Sequence, residues 1–176
     1  MDSLPLLRRP ALRRLALPAL AAALALLLLA AVPAAEARIV PQRGMIGVRL
    51  LMKKKRVVGK LGPPDAKRVV PDPFSGGDDA EYRYAKTWIH FLGRKPSSRV
   101  YAMRTTDRHE RTARGIGVGS TQAQVEARVR NVTCKREFGI RHCYVGDFSP
   151  FTRVTDFVIG KRSGRVRSVG IGIVED

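Results

Sequence analysis

The chain changes its pattern of apolar and polar positions several times. A continuous apolar run covers residues 15–35. After it, Val57 and Leu61, and later Val125 and Val129, stand four residues apart and share one face of a helix. Beyond each helix, apolar and polar residues alternate, which predicts strands that are buried on one side. The pattern therefore predicts a helix followed by antiparallel strands, twice over.

The two predicted helices differ in how they begin. Thr121 and Gln124 form a T-x-x-Q capping box at the start of the second helix. The first helix ends at Gly62 and the two prolines after it, but Lys53 stands where a capping Ser or Thr is expected. Cations in its first turns also oppose the helix dipole. We expect the start of the first helix to be the weaker one.

Alternation of period two predicts six strands, with Gly164 closing the last hairpin. Helices followed by antiparallel strands correspond to an α+β fold. The predicted strands cover residues 81–85, 87–92, 99–103, 143–145, 155–159 and 165–173.

The second half of the chain repeats the first. Residues 48–57 align with residues 116–125, and the same offset aligns the apolar residues of one strand in each half. These residues are Ile89 and Phe91 in the first half and Phe157 and Ile159 in the second.

Two units follow from this repeat, residues 38–107 and residues 108–176. Each is too small to bury much apolar surface alone, so we expect the two to pack side by side. One continuous sheet with the helices on one face would bury the apolar surface of both units.

Residues 1–37 have the organisation of a targeting segment. Four arginines precede the apolar run, which ends in the A-x-A-like site Ala35-Glu36-Ala37. This pattern predicts a signal peptide cleaved after Ala37 and a secreted or extracytoplasmic protein. The alternative is an uncleaved membrane anchor, because the run is about long enough to span a bilayer. Both readings place the rest of the chain outside the cytoplasm.

The composition is strongly basic, with 33 Lys and Arg against 15 Asp and Glu and a net charge of +18. Such a charge attracts polyanions, for example cell-wall polymers or anionic lipids. Nucleic acid is not an expected partner of an exported protein. The alternative is that the arginine content reflects only the base composition of the genome.

The cysteines are the clearest chemical signal. Cys134 and Cys143 are an even pair in an exported chain, which predicts a disulfide between the loop after the second helix and the next strand. A cysteine nucleophile beside His142 is disfavoured, because neighbouring side chains on a strand point to opposite faces. The histidines have no zinc-ligand spacing, so we expect neither a metal nor a cofactor.

No catalytic acid and base come together in the sequence. Asp72, Asp78 and Asp79 fall in or beside a loop rich in Pro and Gly, where we expect them to be solvated. We therefore expect a protein that binds rather than catalyses.

The candidate binding residues are aromatic. If Ile89 and Phe91 face the helices, Trp88 and His90 lie on the opposite sheet face. Clusters of aromatic residues and arginine are typical of protein-recognition surfaces, although ordinary core or edge packing is the alternative. The predicted partner is another protein, and the alternative partner is an anionic envelope polymer. The further candidates on strands are Tyr82, Tyr84, Tyr101 and Tyr144.

Several short motifs resemble a known group of proteins. Residues 117–125 resemble the G-M-T-x-x-Q-V helix opening of the secreted β-lactamase inhibitory proteins and of the small SmpA/OmlA-type lipoprotein of outer-membrane assembly. Residues 61–65 and 82–84 resemble the L-G-x-P and aromatic-strand features of that lipoprotein. Leu51 and Lys53 depart from the motif. The resemblance implies a helical layer on a concave antiparallel sheet that binds another protein and is not an enzyme.

Overall fold

The computed structural model describes residues 38–72, 76–137 and 139–175. The predicted signal peptide or anchor, residues 1–37, lies outside the described residues. Within these three ranges, no helix is both long enough and apolar enough to cross a membrane.

The described residues form an α+β fold in which each of two helices precedes four long strands. Three two-residue strands come first: β1 (Ile39–Val40), β2 (Gly44–Met45) and β3 (Val48–Arg49). Helix α1 (Lys54–Leu61) is followed by β4 (Ala66–Pro71), β5 (Asp78–Tyr84), β6 (Thr87–Leu92) and β7 (Arg99–Thr105). Helix α2 (Gln122–Arg128) is followed by β8 (Val132–Glu137), β9 (Ile140–Val145), β10 (Arg153–Ile159) and β11 (Val166–Ile173).

The long strands form one eight-stranded sheet in the order β4-β5-β6-β7-β11-β10-β9-β8. All neighbours are antiparallel. The last strands of the two halves, β7 and β11, are neighbours at the centre of the sheet. The two edge strands are β4 and β8. Strands β1, β2 and β3 form a separate small antiparallel sheet.

The core lies on one side of the large sheet. Ile89, Phe91 and Phe157 are fully buried there, in one cluster with Val57 of α1 and Val125 of α2. This confirms the prediction that Ile89 and Phe91 face the helices. We call this side of the sheet the helix side and the opposite side the open face.

The ends of the helices have local causes. At the start of α2, the Gln124 N–H donates to Thr121 Oγ1 (3.2 Å), and the Thr121 N–H donates to Gln124 Oε1 (2.9 Å), which confirms the capping box. Gly62 ends α1 with a φ of 81° and donates its N–H to Val58 O (2.9 Å). A positive φ costs glycine little, because it has no Cβ.

The start of α1 is capped from outside. Lys53 provides no side-chain cap, as the sequence predicted. The N–H groups of Lys54 and Lys55 donate instead to the carbonyls of Ser98 and Pro96 in the turn between β6 and β7. A tertiary contact thus replaces the missing capping side chain.

Five strands were not predicted. Strands β4 and β8 form the two edges, where charged and exposed residues hide the period of two. Strands β1, β2 and β3 have only two residues each. Ala85, predicted as strand, has a φ of 50° and lies in the turn between β5 and β6.

The disulfide between Cys134 and Cys143 is present, which confirms the predicted pairing. Its predicted placement was wrong, because Cys134 lies in β8 and not in a loop. The two cysteines are directly opposite each other in the β8–β9 ladder. The bond therefore ties an edge strand to its neighbour.

Candidate functional site on the open face of the sheet

One row of side chains crosses the open face at right angles to the strands. Each member is the cross-strand partner of the next, so all project to the same side. From β5 to β9 the row consists of Arg83, Trp88, Arg104, Gly170, Asp156 and Tyr144.

Trp88 is the aromatic centre of the first half of this row. It is half-buried and lies between Arg83 and Arg104, its partners on the two neighbouring strands. The Arg104 guanidinium is 4.9 Å from the Trp88 ring centroid, which is a cation–π distance. Trp88 and Ile89 lie on opposite faces of the sheet, as predicted.

His90 lies beside Trp88 on the same strand and face. Its Nε2–H donates to Glu81 Oε2 (2.9 Å), and Glu81 Oε1 is 3.1 Å from Arg68 Nε. Burial lowers the pKa of His90, and the Arg104 and Arg68 charges act in the same direction, against the opposing effect of Glu81. His90 is therefore a neutral donor to a carboxylate at neutral pH.

A β-bulge brings Tyr101 into this group. His90 pairs with Ala102 and Phe91 pairs with Val100, so Tyr101 is the extra residue. Its ring meets that of His90 edge to face at 5.9 Å between centroids. We call Arg68, Glu81, Arg83, Trp88, His90, Tyr101 and Arg104 the first cluster.

Asp79 is a hydrogen-bond partner of Tyr101. The prediction that Asp79 is solvated was wrong. Asp78 begins β5, and Asp79 is buried and accepts the Gly93 N–H (2.6 Å). Asp79 also accepts a hydrogen bond from the Tyr101 hydroxyl. Burial, followed by the Asp79 charge, raises the pKa of Tyr101, so this hydroxyl stays protonated and remains a donor.

The second half of the open face has a histidine between two carboxylates. The Nδ1–H of His142 donates to Asp156 Oδ1 (3.0 Å), and Nε2 is 3.6 Å from Glu137 Oε2. Burial raises the pKa of Asp156, an effect that His142 opposes. His142 itself is buried, with 8% of its surface exposed.

Aromatic rings surround His142. The Tyr144 ring is 5.3 Å from it and Phe148 is 5.9 Å from it, while Tyr144 and Phe148 meet edge to face at 4.8 Å. Lys135 Nζ is 5.3 Å from the Tyr144 ring centroid. We call Lys135, Glu137, His142, Tyr144, Phe148 and Asp156 the second cluster.

Phe148 was not predicted as a site residue, although it remains 45% exposed. It lies in the loop between β9 and β10, outside any alternating pattern. Only its place beside Gly146 and Pro150 in a turn-like stretch indicated an exposed aromatic ring.

A strip without side chains separates the two clusters. Gly170 and Gly172 of the central strand β11 both belong to the open face, as the partners of Arg104 and Ala102. A Cβ at Gly170 would have two backbone oxygens as its nearest neighbours, each 4.0 Å away. A Cβ at Gly172 would lie 3.5 Å from Ala102 Cβ. The strip is therefore bare although side chains would fit there.

The structure does not bring Tyr82 and Tyr84 to the open face. Both are on the helix side, because Tyr82 pairs with Ile89 and Tyr84 pairs with Thr87. The Tyr82 ring packs on Phe91 at 5.1 Å, and the Tyr84 hydroxyl donates to Gly62 O (3.3 Å) at the end of α1. These two rings support α1, and the other four candidates share the open face.

Neither sulfur is a free thiol. Cys143 is bonded to Cys134 and lies on the helix side, whereas its neighbour His142 lies on the open face. The Glu126 carboxylate is close to the same two sulfurs, but a disulfide is not the thiolate that a metal site requires. The arrangement on the open face offers hydrogen bonds, aromatic surface and fixed charges for binding.

No protein-family model matches the chain, and no curated protein matches it. Among solved structures, a cysteine-rich secretory protein from Staphylococcus aureus is similar, with 14% identity and a TM-score of 0.41. The match covers 70% of this chain and 44% of that one, so the chain spans less than half the length of that protein. A DUF4309 family protein from Bacillus subtilis is also similar, with 14% identity, a TM-score of 0.43 and coverage of 80% and 90%.

Proposed function

We propose that the protein is a secreted, non-enzymatic binding protein that recognises another protein through the open face of its sheet. The strip of Gly170 and Gly172 between two aromatic clusters is the observation that carries this proposal. Aromatic residues and arginine dominate the energetics of protein recognition. A bare strand between them leaves room for a segment of the partner to lie against the sheet.

Side-chain chemistry supports a partner that is bound in one orientation. The first cluster has Arg83 and Arg104 beside Trp88 and Arg68 beside Glu81, which is its one acidic member. The second cluster has Glu137 and Asp156 around His142 and one cation, Lys135, whose Nζ is 2.7 Å from Glu137 Oε1. A partner with an acidic group above Trp88 and a basic group above His142 would match both ends.

We also propose that the fold is a tandem repeat of the kind that the resemblance to inhibitory proteins and assembly lipoproteins implies. Residues at the predicted offset have the same burial, which supports this reading. Val57 and Val125 are fully buried under the two helices. Four residues on the helix side of β6 and β10 are also buried: Ile89, Phe91, Phe157 and Ile159.

Affinity capture from the culture supernatant and envelope of the producing cells tests the binding function. The immobilised protein is compared with the Trp88→Ala variant and with Val69→Ala as a matched control. Val69 is an exposed apolar residue, 52% accessible, on the helix side of β4. We expect a captured protein that Trp88→Ala loses and Val69→Ala keeps. Equal retention by all three forms would place binding elsewhere.

A further inference from the structure

A second candidate surface lies on the helix side, away from the open face. It is a pocket of about 930 Å³ between the small sheet, the end of α1 and the start of β10. Arg153 belongs to the helix side because it alternates with Thr155 and Phe157 along β10. The cations that line the pocket are Arg38, Arg43, Arg49, Lys60 and Arg153.

Charge in this pocket is unbalanced. No acidic residue is among its described lining residues. Within the part of the chain that the structure describes, Arg38 is the one cation of the five with a counter-ion, since its Nε is 3.3 Å from Glu110 Oε2. The side chains of the other four cations form no ion pair and no hydrogen bond with any described residue. Four uncompensated positive charges therefore surround one concave space.

Several contacts hold the pocket walls in place. The Gln42 N–H donates to Thr155 Oγ1 (2.6 Å), and Gln42 Nε2 donates to Arg153 O (2.8 Å). These bonds fix the turn between β1 and β2 against β10. The backbone positions from which Arg43 and Arg153 extend are therefore fixed relative to each other.

The Lys60 side chain lies over a glycine turn that lines the pocket. Gly47 has a φ of 76°, and a Cβ there would lie 2.5 Å from Lys60 Cε. The absence of that Cβ lets the Lys60 side chain lie over the turn instead of extending from α1. Its Nζ is 3.3 Å from the same position.

We propose that this pocket binds a ligand with several phosphate groups. Cations that converge on a concave surface raise the local concentration of anions. Arginine binds phosphate oxygens in a bidentate manner, and lysine supplies a point charge. The net positive charge of the protein favours polyanions in general, and this pocket would be a defined binding site for them. It is independent of the protein-binding function of the open face.

Calorimetric titration of the purified protein with sodium tripolyphosphate at about 0.15 M NaCl tests this proposal. The pocket variant is Arg43→Gln/Arg49→Gln. The matched control is Lys161→Gln/Arg162→Gln, which removes the same charge from the exposed turn at the far end of β10. We expect the pocket variant to lose about tenfold or more in affinity and the control to lose less than about threefold.

Three results would overturn the proposal: no binding by the unmodified protein, equal losses in both double variants, or an unchanged affinity in the pocket variant. Thermal unfolding of each variant verifies that it is folded. The Trp88→Ala variant should bind tripolyphosphate normally, which separates this site from the open face.

Sedimentation with phosphatidylglycerol vesicles identifies the source of the phosphate. Loss of vesicle binding in the pocket variant alone supports a lipid headgroup, and unchanged vesicle binding supports a soluble phosphate polymer.

Discussion

The two halves of the open face place a histidine against a carboxylate in different electrostatic surroundings. In the first half, arginines flank the pair of His90 and Glu81. In the second half, His142 lies between the carboxylates of Asp156 and Glu137. The sheet fixes where such pairs lie, and the residues around them set the sign of the charge. A surface with two unlike ends would favour one orientation of the proposed partner.

The largest expected effect tests whether the two halves fold as one unit. Phe91 in β6 and Phe157 in β10 are both fully buried in the same core. We expect Phe91→Ala and Phe157→Ala each to lower the free energy of unfolding by about 3–5 kcal/mol. Urea denaturation followed by circular dichroism and by Trp88 fluorescence should give coincident transitions for both variants. Separate transitions for the two halves would show that they unfold independently.

The disulfide provides a difference between the halves, since only the second half has one. The disulfide closes a short loop of the chain. For such a loop, the chain-entropy relation gives a stabilisation of about 2.5–3 kcal/mol. The Cys134→Ala/Cys143→Ala variant should lose about that much stability, with faster amide exchange in β8 and β9. The unmodified protein should show no reactive thiol until it is reduced. A thiol that reacts in the native protein would contradict the bond.

The next effect compares the aromatic residues of the two clusters. Trp88 is half-buried beneath Arg104, whereas Phe148 is a loop residue with 45% of its surface exposed. We expect Trp88→Ala to cost about 1–2 kcal/mol and Phe148→Ala less than about 1 kcal/mol. Thermal unfolding measures both. A loss above about 3 kcal/mol for Trp88→Ala would mean that Trp88 belongs to the core.

The smallest effect is on the pH dependence of stability. The pKa of His90 in the folded state is below its ordinary value of 6.5 because of burial. The stability that neutral His90 contributes is therefore present above pH 6.5 and is lost as the pH falls towards the folded-state pKa. The raised pKa of Asp156 acts in the opposite direction, since protonation of Asp156 favours the folded state.

Denaturation at pH 7.5 and at pH 5.5 measures the contribution of His90. The unmodified protein should lose more stability over this interval than His90→Gln does. His109→Gln is the matched control because His109 is exposed. Equal pH dependence in all three proteins would contradict the lowered pKa of His90.

Local patterns in the sequence predicted several parts of this structure. The capping box at Thr121 and the glycine end of α1 each depend on residues a few positions apart, and the inward side of Ile89 followed from the repeat alignment with Phe157. The disulfide followed from the cysteine count and the predicted export signal. All of these need no knowledge of how distant strands pair.

Features that depend on long-range pairing could not be predicted. Tyr101 reaches His90 only because a bulge shifts the register of β7 against β6. Phe148 reaches His142 from a loop. The glycine strip becomes a feature of the surface only when β11 is placed at the centre of the sheet. Every residue of edge strand β4 is exposed or half-buried, and in β8 the alternation stops at Lys135 and Arg136, which are both exposed.

Filling the glycine strip tests the central claim most directly. Gly170→Val adds a side chain where the nearest atoms are 4.0 Å from the new Cβ, and valine favours strands. Val69→Thr is the control, at an exposed strand position on the helix side. Affinity capture with equal amounts of each protein should show that Gly170→Val keeps its thermal stability and loses the partner that Val69→Thr retains. Capture of the same partner by stable, folded Gly170→Val would contradict recognition through the open face.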